Sequence, residues 1–285
     1  MLAVSGASGK LGGLVLRHLL DRVDASRVLA LTRTPDRVKG VRARHADFTA
    51  PGDLARALDG VERLLVISLD AWTGRVPAHT AAIEAAAEAG VGHLVYTSVT
   101  RAGDPGNPVG VVADHRDTER VLAGSGVPFT ALRFNFWPEI LLDMGLAQRA
   151  VATGELPTTA GKGRVGYVTR DDSAAVASAV LAEGGSTGEY LDVTGPEAVT
   201  AAGLAAALSE ATGRPVRHVP LDPAEATARL AAQGVPETLA AAWAGAGAAH
   251  RAGWMDVVTG AVPRLTGRPA TSLTAYLTGR RADLL

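Results

Sequence analysis

Leu2-Ala3-Val4-Ser5-Gly6-Ala7-Ser8-Gly9-Lys10-Leu11-Gly12 starts as a short apolar strand and passes through glycines spaced at i, i+3 and i+6. It then enters a segment that keeps Leu11, Leu14, Val15 and Leu19 on one helical stripe. Strand, glycine turn and helix in that order open a βαβ unit. Gly6 permits the tight turn, Gly9 leaves space for the close approach of a pyrophosphate, and Gly12 lets the helix close on the strand. The unpaired N–H groups and positive end of the helix then face phosphate. The reading assigns Gly6, Ser8, Gly9, Lys10, Leu11 and Gly12 to a dinucleotide.

Outward from this turn, strand candidates at Leu2–Ser5, Val28–Thr32, Val41–Ala46, Leu64–Ser68, Leu94–Ser98 and Phe129–Phe134 alternate with Ala-rich helical stretches. That alternation predicts an α/β fold, a Rossmann doubly wound parallel sheet covered by helices on both faces. Beyond Pro138 the pattern loosens, with short strands expected at Arg164–Val168, Tyr190–Val193 and Val216–Val219. The expected division is a dinucleotide-binding domain over 1–135 and a smaller C-terminal α/β substrate domain over 136–285, with 165–195 returning to the main sheet. Asp171 and Asp172 there open a helix that runs to Leu181.

Composition narrows the chemistry. With 285 residues the chain can bury a large core, and 28 Lys+Arg against 29 Asp+Glu leave no basic excess to follow a nucleic acid. Cysteine is absent, which removes thiolate catalysis, iron–sulfur clusters and disulfides and suits a cytoplasmic location. No apolar run reaches membrane-spanning length, and the first strand begins at Leu2 with no leader-like stretch before it, so no membrane partner is expected. The seven histidines show no His-Glu-x-x-His spacing, so no metal site is expected. There is no Gly-x-Ser-x-Gly elbow and no phosphate-cleaving Gly-x-x-x-x-Gly-Lys-[Ser/Thr] loop.

The second strand ends Leu31-Thr32-Arg33-Thr34, where an NAD-preferring protein carries an acid for the ribose 2′-hydroxyl. An arginine flanked by two hydroxyls suits a 2′-phosphate instead, which favours NADPH. Asp47 and Phe48, after the third strand, are placed to bracket the adenine.

Together with Thr32-Arg33-Thr34-Pro35, Tyr96-Thr97-Ser98, the run His115–Glu119 and the run Ser125–Arg133, the glycine turn resembles that of the NmrA-like atypical short-chain dehydrogenase/reductases. The chain is most similar to their NAD(P)H:quinone oxidoreductase type 2 branch. The resemblance runs the length of the chain and is weakest after Pro220. It implies a Rossmann domain, a small second domain closing over the nicotinamide, and hydride transfer to quinone-like or other aromatic acceptors. Some relatives bind the dinucleotide only as regulators.

The usual catalytic Tyr-x-x-x-Lys pair is missing, because Thr100, Asp171, Thr194 and Arg280 stand four positions after the chain's tyrosines. Ser98 matches the usual catalytic serine, and His115 falls where isoflavone-reductase-like relatives carry a catalytic lysine. Both are catalytic candidates, although His115 fits equally a half-exposed helix histidine paired with Glu119 one turn on. Ser68 and Ser98 are expected to line the nicotinamide cleft, and Ser68 and Thr97 to bind the dinucleotide. Phe134-Asn135-Phe136-Trp137 leaves the sixth strand at the edge where open α/β sheets place ligands, and Trp72 lies on the same edge. These five residues are expected to bind a small aromatic substrate, with a plug between domains as the other reading of the aromatic cluster.

A hydroquinone anion is a weak base and needs less help from a proton donor than the alkoxide formed from a ketone. The missing pair therefore leans to a quinone-like or polycyclic aromatic carbonyl. A ketoreductase of aromatic polyketide-type products and a non-catalytic redox-sensing regulator are the rivals. Either a monomer or a homodimer fits the sequence.

Overall fold

Strands buried on both faces need apolar residues at every position, and Leu2–Val4 and Val28–Thr32 are buried throughout. The computed structural model describes residues 1–285 except 51, 53, 72, 108, 109, 186 and 233–236. Along its first half run β1 (Leu2–Val4), α1 (Lys10–Leu20), β2 (Val28–Thr32), β3 (Arg42–His45), α2 (Leu54–Ala57) and β4 (Arg63–Val66). Then come α3 (Arg75–Glu88), β5 (His93–Val99), α4 (Gly110–Gly124) and β6 (Phe129–Phe134). The chain continues through α5 (Glu139–Asp143), α6 (Leu146–Thr153), β7 (Glu155–Thr158), β8 (Arg164–Val165), α7 (Arg170–Glu183) and β9 (Glu189–Val193).

Seven parallel strands form one sheet in the order β3-β2-β1-β4-β5-β6-β9. The chain reverses direction of travel between β1 and β4, which is the Rossmann arrangement and the place where such sheets hold dinucleotides. One face is covered by α1 and α7, with Val15, Leu19, Val176 and Leu181 in its core. The other is covered by α2, α3 and α4 over Leu58, Ile83, Tyr96 and Leu122. Thr169 caps α7, its hydroxyl accepting from Asp172 N–H, and most of the helix is buried.

The remaining elements are β10 (Val199–Thr200), α8 (Ala201–Thr212), β11 (Arg217–Pro220), α9 (Pro223–Ala232), α10 (Glu237–Arg251), α11 (Ala261–Thr266), α12 (Leu273–Gly279) and α13 (Arg281–Leu284). A second lobe surrounds its own core of Leu141, Leu156, Tyr167, Leu204, Leu208 and Leu277, with two small sheets, β10-β8 and β11-β7. Elements outside the sequence expectation include β7, β10 and α11. The strand β7 contains Pro157 and has too few residues for a visible alternation. The helix α11, late in the chain, packs Ala261 and Val262 into the core beside α1 and α7.

Candidate active site

The glycine turn makes a cradle whose shape depends on missing side chains. Gly6 has φ +57°, a left-handed conformation that costs glycine nothing. A Cβ on Gly12 would stand 2.3 Å from the Gly6 carbonyl oxygen and 2.8 Å from Ala7 Cα, so only glycine lets α1 start this close to the loop. One on Gly9 would approach the same oxygen to 3.1 Å. Gly9 caps α1 without a side-chain acceptor, leaving the N–H groups of the first turn for an anion. Gly6, Ser8, Gly9 and Lys10 are exposed, whereas Leu11 lends its side chain to the core. The cradle fits a pyrophosphate.

Ser8 Oγ lies 2.6 Å from Thr32 Oγ1, Thr34 Oγ1 donates to Ser8 Oγ at 3.1 Å, and Thr34 N–H donates to Thr32 Oγ1 at 3.2 Å. These hydroxyls tie the glycine loop to the end of β2 and leave Arg33 exposed beside it. Asp47 Oδ1 accepts both the N–H and the hydroxyl of Thr49, which holds its carboxyl below the usual range, and the charge of Arg33 adds to this. Asp47 thus forms a turn, and Phe48 is buried against α2 and α3. Both residues keep their place just after β3.

At the next strand ends, Ser5 Oγ accepts from Ile67 N–H and Thr97 Oγ1 accepts from Ser68 N–H, both at 2.8 Å. Thr97 is therefore a buried strut that sets the Ser68 main chain, while Ser68 itself is half-buried.

The two catalytic candidates are placed differently from their sequence reading. Ser98 is 2% exposed and donates its hydroxyl to Glu119 Oε1 at 2.7 Å. Glu119 also receives Arg133 through Nε at 2.9 Å and Nη2 at 2.6 Å, and the Arg133 guanidinium lies 4.4 Å from the centre of the Tyr190 ring. His115 is 5% exposed and does not pair with Glu119; its Nδ1 lies 2.8 Å from the Tyr96 hydroxyl. Burial, reinforced by the charge of Arg75 and by His79, pushes the His115 imidazole down to about 3. His79 accepts Leu69 N–H on Nε2, so its Nδ1 carries the proton and faces Thr118 Oγ1 at 3.1 Å. Burial lowers His79 to about 4 and raises the Tyr96 phenol. Nothing local in the sequence distinguished these buried imidazoles from exposed ones.

The aromatic run after β6 packs against both cores, Phe134 and Trp137 on that of the main sheet and Phe136 on that of the second lobe. Phe134 is buried in the sheet core. Asn135 is buried, donates its amide to Met255 O at 3.0 Å and Val257 O at 3.5 Å, and accepts Phe136 N–H at 2.8 Å. It has no amide left to orient a substrate. Phe136 meets Tyr167 and His250 edge-on in the second lobe. Trp137 Nε1 donates to Ser173 Oγ at 3.0 Å, with the Arg170 guanidinium 5.2 Å from its ring centre. Trp72 lies outside the described residues.

Sequence reasoning missed two features of this edge. Asp143 of α5 takes Lys10 Nζ and Arg170 Nη2, each at 2.8 Å, so an acid of the second lobe spans the glycine loop. A cleft of about 750 Å³ opens beyond the C-terminal ends of β5, β6 and β9, lined by Arg101, Asp104, Arg133, Asp192 and Val257 among others. A smaller cavity of about 440 Å³ lies between β3 and α2, where Arg44 donates to the Ala57 and Asp59 carbonyls, away from the glycine loop. Among the described residues no group of three or more His, Asp or Glu could hold a metal, and no helix is long and apolar enough to cross a membrane.

A parallel sheet reversing at β1, a glycine cradle at a helix N-terminus and an arginine beside the second strand define a nicotinamide-dinucleotide protein. The family model described as NAD(P)H-binding matches residues 6–184, and the chain belongs to that family, among its NmrA-like oxidoreductases. It is 34% identical over 278 residues to quinone oxidoreductase 2 of Escherichia coli, covering 96% of each chain. Identity to the NAD(P)H azoreductase of Xenophilus azovorans is 32% over 279 residues, covering 97% of this chain and 96% of that one. The solved structure of the Escherichia coli NADPH-dependent quinone oxidoreductase with NADPH superposes with a TM-score of 0.91, covering 98% of this chain and 99% of that one.

Proposed function

We propose that this protein is an NADPH-dependent reductase of quinone-like or other flat aromatic acceptors. The observation that carries the reading is the engagement of the expected proton donors inside the fold: Ser98 by Glu119, His115 by Tyr96, and the Asn135 amide by the 255–257 segment. An imidazole that titrates at about 3 is neutral at physiological pH and is a poor acid for a developing alkoxide. A quinone makes the smaller demand, since its reduced anion is delocalised and takes a proton from water. Likeness to proteins named for quinone and azo reduction agrees with this.

NADPH supplies the hydride. The first-turn N–H groups of α1 would hold its pyrophosphate, and the exposed Arg33 guanidinium would take the 2′-phosphate in a charge-assisted hydrogen bond. The Thr97 strut fixes the Ser68 main chain, which would border the nicotinamide. Asn135 ties the end of β6 to the 255–257 segment of the second lobe, which would help to limit the entry of water.

Loss of NADPH absorbance against quinones and polycyclic ketones, with an NADH control, tests the reading. Turnover of quinones with NADPH is expected. Ketones reduced as fast as quinones would overturn the acceptor assignment, and equal binding of NADPH and NADP⁺ without consumption would overturn turnover itself.

A further inference from the structure

Arg101 stands two residues beyond β5, exposed, with φ +57°, and is the one non-glycine residue at positive φ among the described residues. A side chain in this region is strained, and such strain persists where surrounding structure holds it, commonly at ligand sites. The turn that holds it is closed by Ala102 N–H to Val99 O at 3.2 Å and Asp104 N–H to Arg101 O at 3.2 Å, and Thr100 N–H is tied to Phe134 O at 2.9 Å.

The other charged side chains of the 750 Å³ cleft are each engaged in hydrogen bonds, and of them Arg133 is also ion-paired. Arg133 is taken by both oxygens of Glu119 and has Asp192 beside it in strand register. Asp192 Oδ1 accepts the Thr100 hydroxyl at 2.8 Å. Asp104 Oδ1 accepts Gly106 N–H at 3.0 Å, and its carbonyl accepts Arg116 Nη1 at 3.0 Å. The Arg101 guanidinium has no acceptor among the described residues. A planar fork of donors, unpartnered at the rim of a ligand-sized cleft, suits a bidentate oxyanion.

We propose that Arg101 is a specificity residue that anchors an anionic substituent, a carboxylate, sulfonate or phosphate, on the acceptor; this rests on the reductase reading above. The preferred substrates are then acidic aromatic carbonyls, whose ring lies toward the nicotinamide edge and whose oxyanion lies outward at the end of β5. Arg101 binds without joining the chemistry, so its effect falls on the choice between acceptors.

The matched pair 1,2-naphthoquinone and 1,2-naphthoquinone-4-sulfonate tests this through the ratio of their kcat/KM values. The wild-type enzyme should favour the sulfonate. Arg101→Gly, which keeps the turn because glycine accepts positive φ, should cut the sulfonate-to-neutral ratio about tenfold, roughly 1.4 kcal/mol, and Arg101→Lys should retain most of it. A ratio within twofold of wild type in Arg101→Gly would overturn the proposal. Calorimetric binding of naphthalene-1-sulfonate to the NADP⁺-loaded protein gives a second measure, expected to weaken about tenfold in Arg101→Gly. If neither quinone consumes NADPH the reductase reading fails, and unaltered naphthalenesulfonate binding in Arg101→Gly is what overturns the anion site.

Discussion

Tyr96 and His115 are joined by a 2.8 Å hydrogen bond between the phenolic oxygen and Nδ1, in the layer between the sheet and α4. In the folded chain His115 stays neutral down to about pH 3, and His79 and His250, lowered chiefly by burial, down to about pH 4. Released on unfolding, each titrates near 6.5. Below that pH the unfolded chain binds more protons than the folded one. Stability complete above about pH 6.5 is therefore lost as acid is added, until the folded imidazoles themselves protonate at about 3 to 4. Melting temperature should fall from pH 7 to pH 5, and His115→Gln should have a shallower dependence than wild type. An equally steep dependence in His115→Gln would show that this imidazole is not held neutral. The pH profile of kcat should keep its shape in the same variant.

Ser98 donates its hydroxyl to Glu119, and its loss is expected to act on stability rather than on chemistry. Ser98→Ala should remove one buried hydrogen bond, worth about 1 kcal/mol or about 2 °C in melting temperature, and leave kcat with quinones within about twofold. Glu119→Ala strands the half-buried Arg133 guanidinium and should cost about 3 to 5 kcal/mol, measured by denaturant unfolding. A collapse of kcat in Ser98→Ala at unchanged stability would restore the serine to the chemistry.

Neighbouring glycines give a paired test of the cradle. An added methyl at Gly12 collides with backbone atoms at 2.3 and 2.8 Å, whereas one at Gly13 meets nothing nearer than the Ala7 carbonyl at 3.9 Å. Gly12→Ala should weaken NADPH binding at least about tenfold, and Gly13→Ala should bind as wild type or nearly so, with fluorescence titration as the readout. Equal affinities in the two variants would separate the cradle from the dinucleotide.

Arg33 should set the choice of dinucleotide. Arg33→Ala is expected to raise the KM for NADPH about 10- to 100-fold, the scale of one charge-assisted hydrogen bond, with little change for NADH. Parallel losses with both dinucleotides would argue against a 2′-phosphate contact.

The sequence by itself determined the fold class and the dinucleotide loop. Both are written in local periods: glycines at i, i+3 and i+6, apolar strands too uniform to be half-exposed, and helical stripes between them. Steric limits act over a few residues, so Gly12 could be understood before any contact was known. Tertiary structure alone decided which polar side chains are spent. Ser98 meets a glutamate 21 residues away and Asn135 a carbonyl 120 residues away, partnerships that no spacing announces. It also placed His115 against Tyr96 and left the Arg101 guanidinium without an acceptor among the described residues. A polar side chain becomes a reagent or a strut according to what burial and its neighbours leave it, and those neighbours arrive only when distant segments pack.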